Sequence, residues 1–209
     1  MYFLNRNTAG EMLAEELASY KNDVKNVVYA LPRGGVILWS VVAKALWAPL
    51  DLIIPRKIGH PYNPEYAVCA VTENGPIICD ESEKKYLDSM WLDHEVNKQR
   101  QEAKRRRERY LQWRDHIVAT GKRAILVDDG VATGLTMRAA LSALKKEHPA
   151  EIIVAVPVCP SDVLAMLERE ARVVVLDDAK DFLGSIGAYY GSFPQVGDEE
   201  VISILSKKS

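Results

Sequence analysis

Cysteine and histidine are scarce in this sequence, three and four respectively among 209 residues. Cys69, Cys79 and Cys159 are odd in number and lack metal-ligand spacing, so reduced thiols, as in a cytoplasmic protein, are the expectation. His60, His94, His116 and His148 stand far apart, and no zinc site is expected from them. No uninterrupted apolar run approaches the roughly 20 residues that a membrane helix needs. Met1–Gly10 mixes polar and apolar residues, so neither an export signal nor a membrane anchor is expected. An excess of one charge is also missing: 27 Lys and Arg face 29 Asp and Glu, a formal net charge of −2. The whole molecule therefore has no bias toward nucleic acid or anionic membrane, and any anion site must be local. Internal repeats and low-complexity tracts are absent as well.

What is present is a chain that can bury a full core, with 48% hydrophobic residues over a length that suits one domain, 1–209. Apolar runs of strand length occur at Asn26–Leu31, Leu50–Pro55, Arg123–Asp128, Glu151–Val156 and Arg172–Leu176. Helical spacing lies between them at Ala9–Tyr20, Gly35–Trp47, Leu135–Glu147 and Asp162–Glu170. This alternation predicts a doubly wound α/β fold with a mainly parallel sheet covered on both faces. In such folds ligands bind beyond the carboxyl ends of the strands, so function belongs at the strand-to-helix turns.

Two insertions interrupt the pattern. The first, 66–79, is two short apolar runs around Glu73, Asn74, Gly75 and Pro76, whose Asn-Gly pair signals a hairpin. The second, 83–119, is highly charged and free of Gly and Pro, and predicts a long helix or helix pair; about thirty helical residues would span about 45 Å. The region 177–209 is expected to be a lid, ending in a helix near Asp198–Ser206.

The most informative stretch is Ala124–Thr136, a buried strand that ends in Asp128 and Asp129 and turns through Gly130, Val131, Ala132, Thr133 and Gly134 into a helix opening with Leu135 and Thr136. Backbone amides from Ala132 to Thr136 would converge at a helix N-terminus, which favours a phosphate monoester. The hydroxyls of Thr133 and Thr136 add donors, and Gly134 permits close approach. Two adjacent carboxylates can accept hydrogen bonds from a vicinal diol, as a ribose presents. The same stretch also fits a Rossmann-like turn whose acids merely cap the next helix.

Two further turns have matching chemistry. Leu31–Gly35 places Arg33 beside two unhindered amides, Gly34 and Gly35, which suits a pyrophosphate; a helix entry with an incidental arginine is the alternative. Pro55–Gly59 carries Arg56 and Lys57 after the second strand, as a second cationic contact or as a solvated basic turn.

The Ala124–Thr136 stretch resembles the phosphoribosyl-pyrophosphate motif of the type I phosphoribosyltransferases, and the resemblance extends from Phe3 to Val201. It implies an enzyme that transfers the 5-phosphoribosyl group of 5-phosphoribosyl-1-pyrophosphate (PRPP) to a nitrogen acceptor, a nucleobase, with Mg²⁺ as cofactor. It implies that Asp128 and Asp129 orient the ribose, with any metal contact through water. Arg33 and Gly34 would contact the leaving pyrophosphate, and Lys57, with Arg56, would neutralise it. The 6-oxopurine members carry an Asp where this chain has Ala132, which argues against a hypoxanthine or guanine enzyme of the usual kind. Adenine-type members have a small residue there and a Glu-Tyr pair on a flexible loop, which Glu65 and Tyr66 resemble. Glu65 is thus a candidate for acceptor contact or proton transfer, or else a surface glutamate in a Pro-rich turn.

Phe182, Tyr189, Tyr190 and Phe193 are the aromatics available to a lid, or to the core. A homodimer is expected by analogy with fold relatives, with Trp39 or Trp91 exposed for the interface. The basic run Lys98–Arg114, with Tyr110 and Trp113, reads as a solvated helix partnered by Glu102 and Glu108; four consecutive cations point around a helix rather than along one side. A regulatory protein that binds PRPP or a nucleotide without turnover, touching nucleic acid through that helix, is the competing reading.

Overall fold

The computed structural model describes residues 1–112 and 114–206. Trp113 lies outside the described residues. The central sheet joins β1 (Asn26–Ala30), β2 (Leu50–Leu52), β6 (Arg123–Val127), β7 (Glu151–Pro160) and β8 (Arg172–Ala179) in the order β2-β1-β6-β7-β8. Every pairing is parallel. All five residues of β1 are buried, as are the last four of β6, because helices cover both faces. On one face lie α1 (Arg6–Glu16) and α2 (Gly35–Leu46); on the other lie α5 (Leu135–Lys145) and α6 (Ser161–Glu168). The chain leaves β1 toward β2 in one direction and continues from β6 toward β8 in the other, so the strand order reverses between β1 and β6. A crevice beyond the carboxyl ends of these two strands is the place such a sheet offers a ligand.

A second, antiparallel sheet is made of β3 (Arg56–His60), β4 (Asn63–Val71) and β5 (Ile78–Cys79). The expected hairpin over 66–79 is present as β4 and β5, joined by a loop in which the Gly75 amide donates to Thr72 Oγ1 at 2.9 Å. Three expectations are corrected here. Arg56 and Lys57 lie in a strand, not a turn, because Arg56 pairs with Val71 and Lys57 with Ala70. Glu65 belongs to β4, not to a Pro-rich turn. Cys69 and Cys79 are registered opposite one another and form a disulfide, leaving Cys159 as the free cysteine. Cross-strand pairing set that contact, and a spacing of ten residues carried no sign of it.

The charged segment forms a helix pair, α3 (Glu81–Lys84) and α4 (Ser89–Leu111), which ends before 119. Each begins on an aspartate that caps it: Asp80 accepts from the Ser82 amide, and Asp88 from the Trp91 amide. The 23 residues of α4 span about 35 Å. Its cations are partly spoken for: Arg105 and Arg106 pair with Glu102, whereas Arg107 reaches Asp51 and Arg109 reaches Asp198 and Glu199. Trp39, expected at a surface, is fully buried in α2, and its indole donates to the Val28 carbonyl at 2.9 Å. After β8 the chain makes a 3-10 turn at Ile186–Tyr189 and ends in α7 (Asp198–Ser206). Among the described residues no helix is long and apolar enough to cross a membrane.

Candidate active site

At the end of β1 the chain runs through Pro32 and Arg33, joined by a cis peptide, to Gly34, which begins α2. A methyl group on Gly34 would lie 1.8 Å from Asp129 Oδ2, and one on Gly35 would lie 2.9 Å from the Val127 carbonyl and 3.0 Å from Asp128 Oδ1. The two glycines are therefore required by the acidic pair, which packs directly against them. Arg33 is 3.5 Å from Asp198 of α7 and otherwise faces outward.

At the end of β6, Asp128 and Asp129 lead into the loop to α5. Gly134, at φ 77°, begins that helix, a left-handed conformation that glycine adopts without strain. The first amides of α5 have no carbonyl one turn behind them and point out of the helix end. The Asp129 amide donates to Asp128 Oδ1 at 2.8 Å. Asp129 itself is held by a residue from the far end of the sequence: Arg6 Nε donates to its Oδ2 at 2.8 Å. Burial pushes both carboxyls above the usual range; Asp128 rises further because Asp129 faces it, while Arg6 opposes the rise at Asp129.

From the end of β2 the chain enters β3. Lys57 is exposed on the cavity side, and its charge acts on Asp128 to oppose the rise. Arg56 is turned partly away, its Nε donating to Gln99 of α4 at 3.0 Å. Burial, followed by the like charge of Arg106, lowers its pKa.

These three strand ends meet around one cavity of about 470 Å³. Arg33 and Gly34 line it from β1, Arg56 and Lys57 from β3, Asp128 and Asp129 from β6, and Gly130, Ala132, Thr133 and Thr136 from the following loop and helix. Ile186 and Phe193 close it from the C-terminal region. Gly35 and Gly134 support this lining without forming it, and Leu135 faces a neighbouring cavity of about 410 Å³ that shares Thr133 and includes Tyr66. Glu65 is exposed and lines neither cavity.

Sequence reasoning missed Arg6 and Ile186. Arg6 is 6% exposed, so it is a buried cation that demands a partner, but that partner lies 123 residues away. Of the aromatics singled out, Phe193 reaches the cavity, while Tyr190 is buried behind it and donates to the Asp129 carbonyl at 2.7 Å. No group of three His, Cys, Asp or Glu side chains among the described residues could enclose a metal.

The molecule is thus a parallel α/β protein in which an acidic pair, Arg33, Arg56 and Lys57, and the start of α5 gather around one cavity at the switch point of the sheet. The chain belongs to the phosphoribosyl transferase domain family, whose model matches residues 4–188. Two curated proteins from strains of Mycobacterium tuberculosis, provisionally named phosphoribosyl transferases, are each 37% identical over 207 residues, 98% of this chain. The chain spans 46% of their length. The crystal structure of TT1426 from Thermus thermophilus is similar at 42% identity, covers 99% of both chains and has a TM-score of 0.83. AQ2163 from Aquifex aeolicus shares the fold at 14% identity, with 82% of this chain and 73% of that one covered and a TM-score of 0.50.

Proposed function

We propose that the chain, acting as one unit, transfers the 5-phosphoribosyl group of PRPP to a ring nitrogen of a nucleobase and releases pyrophosphate. The observation that carries this reading is the convergence of three strand ends, far apart in sequence, on one cavity of about 470 Å³. In the proposed complex the 5-phosphate rests on the amides and hydroxyls of Ala132, Thr133, Gly134, Leu135 and Thr136. The ribose lies over the acidic pair, and the pyrophosphate lies between the Arg33–Gly35 turn and Lys57, with Arg56 behind it. In the reaction the bond from ribose C1 to the pyrophosphate oxygen breaks, a bond from C1 to the acceptor nitrogen forms, and the acceptor loses a proton. Positive charge grows on the ribose and negative charge on the leaving group, which is where Lys57 and Arg33 stand.

The donor set fits Mg²⁺ held largely through the substrate. Two adjacent carboxyls face the cavity, one of them already engaged by Arg6, and no three-residue cage exists among the described residues. When bound, the ion would neutralise pyrophosphate charge, with Asp128 and Asp129 as its protein-side neighbours, reached through water. Glu65 is proposed only as a mobile contact, since it stands outside the cavity.

The test is pyrophosphate release from PRPP and Mg²⁺ with single acceptors, adenine first, against a control without acceptor. Acceptor-dependent release is the expected result. Failure of every acceptor, together with no heat of PRPP binding in calorimetry, would overturn the reading.

A further inference from the structure

The adjacent acids of the β6 turn are not equivalent. Asp129 is committed on three sides: its carboxylate accepts from Arg6 Nε at 2.8 Å, its carbonyl accepts from Tyr190 at 2.7 Å, and its Oδ2 fills the space a methyl on Gly34 would need. Asp128 accepts the Asp129 amide on Oδ1, and among the described residues its Oδ2 has no hydrogen-bond donor. Arg6 is similarly committed, but to two elements at once. Its Nη1 donates to the Pro194 carbonyl at 2.8 Å, and its guanidinium carbon lies 3.6 Å from the centre of the Phe193 ring. Phe193 in turn packs on Tyr190 and lines the cavity. The base of α1 is fixed to the same segment, since the Phe3 amide donates to Tyr189 and the Gly191 amide to Phe3.

We propose that Arg6 is a positioning residue that divides the acidic pair, holding Asp129 as the strut of the C-terminal lid and leaving Asp128 as the carboxyl that meets the ribose hydroxyls. The assignment of Asp128 rests on the transferase reading; the strut does not. A planar fork is needed, because one guanidinium serves Asp129, Pro194 and the Phe193 face together, and a lysine can supply the charge but not all three contacts.

Two measurements on the full chain test this. Hydrogen exchange of the segment 183–196 without ligand reads the strut. Arg6→Ala and Asp129→Asn should speed exchange there by about tenfold, the worth of one charge-assisted hydrogen bond, Arg6→Lys should do so less, and Asp128→Asn should leave it unchanged. Calorimetry and steady-state kinetics read the division. Asp128→Asn should weaken PRPP binding by about tenfold or more and Asp129→Asn by less, whereas Arg6→Lys should raise the acceptor KM and leave PRPP affinity within about threefold. Unchanged lid exchange in Arg6→Ala would sink the strut. Equal loss of PRPP affinity in Asp128→Asn and Asp129→Asn would sink the division. A wild-type protein without PRPP affinity would remove the transferase reading and the role of Asp128, while the exchange data would still decide Arg6.

Discussion

Gly34 has no room for a side chain, and the reason is specific to one neighbour. Its Cβ position is 1.8 Å from Asp129 Oδ2, and Arg6 Nε lies at 3.3 Å on the same side. Alanine there must push Asp129 off Arg6 or move the β1 turn, and overpacking of this kind costs about 1–3 kcal/mol. Gly34→Ala should therefore lower both thermal stability and pyrophosphate release, measured by a melt and by the acceptor-dependent assay. Gly197→Ala, with nothing within 4 Å, should change neither. The need for glycine in the β1 turn was legible in the sequence as two consecutive unhindered amides at a strand end. That the glycine also accommodates the acid of another strand was not, because the two belong to turns far apart in the chain that only a parallel pairing brings together.

Among the elements, α4 and β2 meet through a buried ion cluster that no motif announced. Asp51, 1% exposed in β2, accepts from Arg107 at 3.1 and 3.2 Å and lies 2.5 Å from His116 Nδ1; His116 Nε2 lies 2.6 Å from Glu147 beyond the end of α5. Burial would raise the Asp51 pKa, yet His116 and then Arg107 hold it low. Asp51, and next Glu147, push His116 up to about 9. A histidine raised on folding stabilises fully below its ordinary value of 6.5 and loses that contribution as pH rises through about 9. The melting temperature should thus fall between about pH 6.5 and 9, and His116→Gln should flatten that slope in melts across the range. The helix ends at Leu111, and further along the chain the His116 ring and the Ile117 amide are bonded to Asp51 and the Ala119 amide to Glu147. High charge and the lack of Gly and Pro predicted a long helix or helix pair to about 119; two helices are present and the second ends at Leu111, short of those contacts.

At the scale of the whole molecule, the cavity exists only when the strand ends, the β3 strand and the C-terminal segment are assembled together. A ligand that binds this assembly and not the unfolded chain must stabilise it. PRPP with Mg²⁺ at about 100 times its Kd should add about 2.7 kcal/mol. At about 2–4 °C per kcal/mol for a chain of this size, that is a rise in Tm of roughly 5–10 °C. A thermal shift with PRPP but not with ribose 5-phosphate at the same multiple of the PRPP Kd would mark the pyrophosphate turn as the principal contact.

The local pattern of this chain carried the layered fold and singled out its main turn. Apolar runs ending in turn residues placed β1 and β6 within a residue of their observed ends, and the acids, hydroxyls and glycines that follow β6 are contiguous, so they stood out as one stretch, most of which lines the cavity. Those signals are short-range, set by strand length, helix-terminal amides and carboxyl chemistry. The tertiary structure alone decided which distant groups face them. Arg6 reaches Asp129 across 123 residues, Cys69 meets Cys79 through strand register, Trp39 is buried by α2 packing on the sheet, and Arg56 and Lys57 are drawn into β3 by pairing with β4. Each of those contacts depends on the parallel order of the sheet and the register of the second one, and neither is written in any local run of residues.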